Sequence, residues 1–235
     1  MAKTLTIDVW SDVVCPWCAI GKCRLDAALA KFSHRDSVRI AWRAFELDPS
    51  APRVQEGDNA ARLGRKYGRT RAQAEAMIRN VEQTAAQDGL EFDLLDARSG
   101  NTFDAHRLLK LAAERGVQGA VKERFFRGYM AEKAAIGEPE TLVRLASEAG
   151  LDAEEVRAVL ASDRYAKEVR DEEASARSLG INGVPFFVLA GQLAVSGAQP
   201  ADVMLRALEQ AWAALPASDA PDTVDGATCG PEGCA

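Results

Sequence analysis

The hydrophobic period changes twice within the first fifty residues, and this constrains the fold more than any other feature. "LTIDVWSD" alternates, with Leu5, Ile7 and Val9 on one side and Thr6, Asp8 and Trp10 on the other, so a first strand is expected over 4–10. "CPWCAIGKCRLDAALAKF" then carries Ile20, Leu25, Ala28, Leu29 and Phe32 at helical spacing. "SVRIAWRAFELDP" alternates again and is closed by Pro49. A strand, a helix and a strand in that order leave a crossover long enough for a parallel pair.

From Gly57 to Gly180 the pattern is helical almost throughout. Helices are expected in "DNAARLGRKYG", "TRAQAEAMIRNVEQTAAQDG", "NTFDAHRLLKLAAERG", "GAVKERFFRGYMAEKA", "EPETLVRLASEAG" and, as one long helix, "DAEEVRAVLASDRYAKEVRDEEASARSLG". Several open on Asp, Asn or Thr and close on Gly, as helix caps require. "VPFFVLAGQLAVSGAQP" returns to β character with a turn at Gly191, and "PADVMLRALEQAWAAL" is a final amphipathic helix. The order is thus β-α-β, a helical block, then β-β-α. Neither β-containing piece can bury a core alone, so they are expected to share one sheet with helices on both faces. The expected fold is α/β: residues 1–50 and 181–215 form one domain and residues 51–180 an inserted all-α domain. Residues 216–235, rich in Pro, Gly, Asp and Ala, are expected to form a mobile tail.

The chain has 235 residues, 47% of them hydrophobic and 27% charged, with a net charge of -6. The acidic balance speaks against nucleic acid or an anionic membrane as main partner. No apolar run approaches the ~20 residues of a membrane helix. "MAKTLTIDVWSD" lacks the apolar core and cleavage site of a signal peptide, so a cytoplasmic location is expected. Five cysteines are too few for a disulfide scaffold, and in the cytosol cysteine pairs are usually catalytic, redox-sensing or metal-binding.

Three of those cysteines fall in "VVCPWCAIGKC". A C-x-x-C serves as metal grip, staple or redox pair, and its surroundings decide which. Cys15 stands where the first strand gives way to the first helix, and Pro16 suits the first helical position. Cys15 is then the N-cap and Cys18 the third helical residue, within reach of each other after a small adjustment. The helix N-terminus favours a thiolate at Cys15, which would be the nucleophile. Cys18, one turn deeper, would be the resolving thiol. A zinc site remains the alternative, needing four ligands that Cys229 and Cys234 could complete. Asp12 could tune the thiolate, though capping the turn is the favoured role. Cys23, on another helix face, reads as a small buried hydrophobe. Trp17 would shape the groove over the sulfurs or pack on the neighbouring domain.

Together these stretches resemble the thioredoxin superfamily and, within it, the DsbA-like branch, closest to the FrnE subfamily. The resemblance rests on "SDVVCPWCAIGK", "NTFDAHRLLKLA" and "GVPFFVLAGQLAVSGAQP" and extends to about Leu215. It implies a thioredoxin-like fold and thiol–disulfide exchange with protein or small thiol substrates, recycled by a thioredoxin or glutathione system. No cofactor is expected beyond the redox-active disulfide, with glutathione a possible reductant. The chain would be a monomer or homodimer. The resemblance also implies that Pro185 is a cis-proline beside Cys15 and Cys18. The Val184 backbone would then pair with an extended substrate, with Pro16, Trp17 and His106 completing the substrate-binding set. "CGPEGC" resembles a tail pair of FrnE-like proteins, which would make Cys229 and Cys234 an auxiliary redox pair. The 2-hydroxychromene-2-carboxylate isomerases and kappa-class glutathione transferases share this layout but typically carry serine where this chain has Cys15. A glutathione-dependent isomerase or transferase is therefore the alternative, and the presence of both Cys15 and Cys18 favours exchange.

Overall fold

The structure, a computed structural model, describes residues 3–55 and 58–216. The first strand, β1 (Leu5–Ser11), leads into α1 (Pro16–Lys31) and, through a short 3-10 turn, into β2 (Val38–Ala44). Seven helices follow: α2 (Asn59–Tyr67), α3 (Arg71–Gln87), α4 (Phe103–Glu114), α5 (Gln118–Met130), α6 (Pro139–Glu148), α7 (Ala153–Leu160) and α8 (Ala166–Ser178). The chain ends in β3 (Phe186–Leu189), β4 (Leu193–Ser196) and α9 (Ala201–Ala214).

The four strands form one sheet in the order β2-β1-β3-β4. The β1–β2 pair is parallel, as the helical crossover demands, with Ile7 opposite Ile40. β3 runs antiparallel to β1 and to β4. The β3–β4 turn uses positive φ at both Ala190 and Gly191, and the Gln192 N–H returns to the Leu189 carbonyl at 3.0 Å. Because β1 is central, Leu5, Ile7 and Val9 lose all solvent contact. They pack with Leu25, Phe32, Phe187, Met204 and Leu208 beneath α1 and α9. On the other face Trp10 meets Ala176 and Ile181 under α8. The sheet is thus covered on both sides by helices from the two ends of the chain and the block between them.

The core of the helical block is continuous with the start of α1. Leu108, Phe125, Tyr129, Leu142 and Val156 belong to one buried cluster with Val13, Cys15, Cys18 and Ala19. Local caps hold as expected: Asp58 accepts from the Ala61 N–H, and Thr70 with Gln73 forms a reciprocal capping box.

One expectation needs correction. The single helix expected over 152–180 is two, α7 and α8, separated by a turn in which Tyr165 takes φ 65. The cause lies far away in sequence. Arg107, almost fully buried on α4, donates to the carbonyls of Val159, Ser162 and Arg164. The guanidinium serves all three carbonyls, and that of Val159 also accepts the Ser162 N–H and hydroxyl, each at 3.1 Å.

Candidate active site

α1 begins where the spacing of Cys15 and Pro16 puts it. Cys15 is the N-cap in extended conformation (φ -92, ψ 111), with Pro16 at the first helical position and no side chain capping the end. The Cys15 carbonyl accepts the Cys18 N–H at 3.0 Å, which carries the second thiol into the first turn. Both cysteines are buried, Cys18 completely. Among the described residues Cys15, Cys18 and Cys23 are free thiols. Burial, reinforced by the neighbouring Cys15, pushes the Cys18 thiol well above its ordinary range.

The third element comes from the far end of the chain. The Val184–Pro185 peptide bond is cis. Cys15 Sγ lies 3.7 Å from the Val184 carbonyl, a contact between positions 169 residues apart. The β1–β3 ladder stops at Phe186, so Val184 extends beyond the paired strand. The Pro185 ring seats against α1 at Gly21, where an added Cβ would stand 2.9 Å from the ring's Cγ.

A cavity of about 300 Å³ opens at this point. Buried Asp12, Cys15 and Tyr129 line it together with Pro16, Val184 and the exposed Trp17 and Leu47. α2 and α3 supply the opposite wall through Arg62, Leu63, Tyr67 and Ile78. Trp17, Leu47, Tyr67 and Met77 are exposed, large and apolar, and all four line it. Such a patch is where a soluble protein meets another molecule.

Beneath the cavity lies a buried polar group. Asp12 was expected to cap the turn; its backbone carbonyl does so, accepting the Cys15 N–H at 3.2 Å. The carboxylate turns inward instead. Oδ2 accepts the Leu47 N–H at 2.8 Å, and Oδ1 lies 3.4 Å from His106 Nε2, within charge contact but outside hydrogen-bond geometry. Burial alone would raise the Asp12 carboxyl; His106, the Leu47 N–H and Lys122 together outweigh it and hold it below the ordinary range. His106 is therefore placed behind Asp12, buried, and contributes nothing to the cavity wall. Cys23 is half-buried rather than in the core, its thiol donating to the Asp88 carbonyl at 3.4 Å. Cys229 and Cys234 lie outside the described residues, and with them the expected tail pair and any zinc site that needs them. Among the described residues no group of three or more His, Cys, Asp or Glu is placed to hold a metal, and no helix is long and apolar enough to cross a membrane.

Sequence reasoning missed Lys122. It sits on α5 with no solvent exposure, and it occupies the same stripe as Phe125, Phe126 and Tyr129. That lysine at a core position of an apolar stripe was the available signal. Burial, against the charges of Cys18, Asp12 and Cys15, lowers its amine to about 8.

Residues 6–209 match the protein family described as DSBA-like thioredoxin domain. A crystal structure of a probable DsbA oxidoreductase, SCO1869 from Streptomyces coelicolor, superposes with a TM-score of 0.86 at 47% identity, covering 98% of each chain. The uncharacterized protein YwbO of Bacillus subtilis is 26% identical over 208 residues, 87% of this chain and 96% of its own. The cytosolic disulfide reductase DsbM of Pseudomonas aeruginosa, solved with GSH, shares the fold at 18% identity, with a TM-score of 0.58 over 88% of this chain and 96% of that one.

Proposed function

The chain belongs to the family of DSBA-like thioredoxin domains, and from that premise we propose that it is an oxidoreductase exchanging disulfides with protein substrates through Cys15 and Cys18. The observation that carries this reading is the convergence of the Cys15 thiol, at the capping position of α1, with the Val184 carbonyl before cis Pro185. In the reducing direction the Cys15 thiolate attacks one sulfur of a substrate disulfide. A mixed disulfide forms and the other substrate sulfur leaves as a thiolate. Cys18 then attacks Cys15 Sγ, closing the enzyme disulfide and releasing the second substrate thiolate. The oxidising direction is the same sequence reversed, and the potential of the pair sets which runs.

Val184 supports substrate binding by continuing the line of β3 beyond the β1–β3 ladder, where an extended peptide can add alongside. Pro16 and Trp17 in the cavity lining, with Leu47, Tyr67 and Met77, suit apolar side chains of such a peptide. His106 would act on this set through Asp12 rather than by contact. No cofactor is called for beyond the cysteine pair, and we assign recycling to a thioredoxin or to glutathione, the molecule solved with DsbM. Membership of the FrnE subfamily, a cytoplasmic location and a redox role for Cys229 and Cys234 complete the proposal.

The test is to equilibrate wild type and Cys15→Ser against defined glutathione ratios and count modified thiols by mass. A reversible two-electron couple, lost in Cys15→Ser, is expected. Thiols that stay protected until a chelator is added would mean metal binding. Turnover of a small glutathione-dependent substrate retained in Cys18→Ala would mean the isomerase or transferase chemistry instead.

A further inference from the structure

The face that α2 turns to the cysteine cavity is not that of a core helix. Asn59, Arg62, Leu63, Lys66 and Tyr67 line the cavity at the i, i+3, i+4, i+7, i+8 spacing of one helical face. Such a face is ordinarily apolar, and here it includes an arginine and a lysine. α2 as a whole holds Arg62, Arg65 and Lys66 and no acid, in a chain whose net charge is -6. The nearby acids are engaged elsewhere. Asp58, which caps α2, pairs with Arg71 at 2.5 Å, and Glu75 pairs with the same guanidinium at 2.9 Å. Of the acids that line the cavity, Asp12 is held by the Leu47 N–H and Asp48 by the N–H and hydroxyl of Ser50. Among the described residues Arg62, Arg65 and Lys66 have no ion-pair partner, and Lys66 meets only the ring of Tyr67, at 5.8 Å.

Arg65 and Lys66 are exposed and by themselves would be ordinary solvated surface. Arg62 is different. It is half-buried, and Asn59 orients its guanidinium by accepting from Nη2. Asn59 is itself buried and anchored, donating to the Leu94 carbonyl at 2.6 Å. The Arg62 Nε is buried with no acceptor among the described residues. A buried donor left without an acceptor opposes folding, and the guanidinium fork matches the two oxygens of a carboxylate. An oriented guanidinium with an unused donor thus stands in the wall of the cavity that holds Cys15.

We propose that this face of α2 is a carboxylate subsite, so that the protein selects peptide substrates whose reacting cysteine is flanked by aspartate or glutamate. The proposal deepens the exchange reading and rests on it. Arg62 takes the carboxylate in the cavity wall, and Lys66 and Arg65 draw it in from solution. Apolar neighbours of the same cysteine still meet Trp17 and Leu47, because side chains of an extended peptide alternate in direction.

The test follows single-turnover release of pyridine-2-thione from the 2-pyridyl disulfides of three peptides, with Glu, Gln or Lys on each side of one cysteine. The Cys15 thiolate bonds to the peptide sulfur, and the pyridine sulfur leaves with the electron pair and takes a proton from solvent. The leaving group is uncharged and does not compete for the subsite. Each rate with the reduced protein is divided by that peptide's rate with mercaptoethanol, which removes differences in intrinsic reactivity. The Glu peptide should exceed the Gln peptide about ten-fold, and the Lys peptide should be slower still. With Arg62→Met and Lys66→Met combined, the Glu-to-Gln ratio should fall to within about two-fold of one. A Glu peptide no faster than Gln in wild type overturns the proposal, and so does a ratio that the double variant leaves in place. If that variant does not fold, the wild-type ratio is followed from about 20 to about 500 mM salt. It should shrink several-fold as screening grows, and a constant ratio overturns the proposal. A gain confined to the 2-pyridyl disulfide of glutathione would assign the subsite to that molecule and overturn it as well. Absence of release from wild type, or its persistence in Cys15→Ser, would instead remove the exchange reading and this proposal with it.

Discussion

Replacing Gly21 by alanine opposes two effects whose sizes can be compared. Gly21 sits inside α1, where alanine should favour the helix by about 0.8–1 kcal/mol. The added methyl carbon, however, would lie 2.9 Å from Pro185 Cγ and 3.3 Å from Phe187 Cζ. Carbon pairs rest at about 3.5–4.0 Å, so the proline ring must retreat by roughly 0.6–1.1 Å. It has little freedom to do so. Its carbonyl accepts the Gly197 N–H at 2.9 Å, and Phe187 is fully buried in the ladder with Val9. Overpacking of this kind costs about 1–3 kcal/mol, and two rigid rings place it in the upper part of that range. The net loss expected for Gly21→Ala is about 1–2 kcal/mol, a fall in Tm of about 2–8 °C. The same retreat shifts Val184 against Cys15, and misplacement by about 1 Å can cost up to a hundred-fold in rate. Thermal melts and single-turnover exchange measure both. A variant that melts above wild type and exchanges at full rate would refute the reasoning, because Pro185 could not then be seated on α1.

Other consequences are as direct. Cys18→Ala should accumulate a mixed disulfide at Cys15, visible by intact mass, and an adduct at Cys23 instead would move the nucleophile. Arg107→Met removes the donor shared by three carbonyls and should lower stability by about 2–4 kcal/mol in urea; a loss below about 1 kcal/mol would mean water replaces it. Burial raises the Glu46 carboxyl to about 7, opposed by Arg170 and reinforced by the facing Glu173. The folded state thus holds that proton more tightly than the unfolded chain, whose value is near 4.5. Its stabilising contribution is full below 4.5 and lost as pH rises through 7. Melting curves of Glu46→Gln should lack that decline and lie above wild type at pH 8; curves parallel to wild type would contradict the assignment. Asp12 has the opposite sign: its contribution is present above 3.8 and lost as pH falls through its lower folded value, so Asp12→Asn should flatten the acid limb of the stability profile.

What could be read from the sequence was what local periodicity and capping decide. The alternation in "LTIDVW" and the helical spacing after Pro16 place β1 and α1 to within a residue, and with them Cys15 at the cap. Gly191 marks the hairpin because a turn with positive φ needs it. What stayed hidden depends on residues distant in sequence. The pattern stays helical on both sides of Tyr165, and the break there is made by Arg107, whose partner at Arg164 lies 57 positions away. Asp12 can cap a turn or face a core, and only Leu47 and His106 arriving from elsewhere make it do the second. The stripe of α5 marks Lys122 as a core position, but what it is buried against depends on how α5 meets α1 and β2. The walls α2 and α3 give the cavity could not be foreseen from their own amphipathic patterns, which say that a face is buried and not against what.

The contact between Cys15 and Val184 also orders events in time. The two positions are 169 residues apart, and ribosomes add about 5–20 residues per second, so roughly 10–30 seconds separate the birth of the thiol from that of its backbone clamp. Throughout that interval the nascent chain carries both sulfurs without the carbonyl that will stand over one of them or the proline ring that will seat on Gly21. The β3–β4 hairpin thus joins the sheet late in translation, on a strand made long before it.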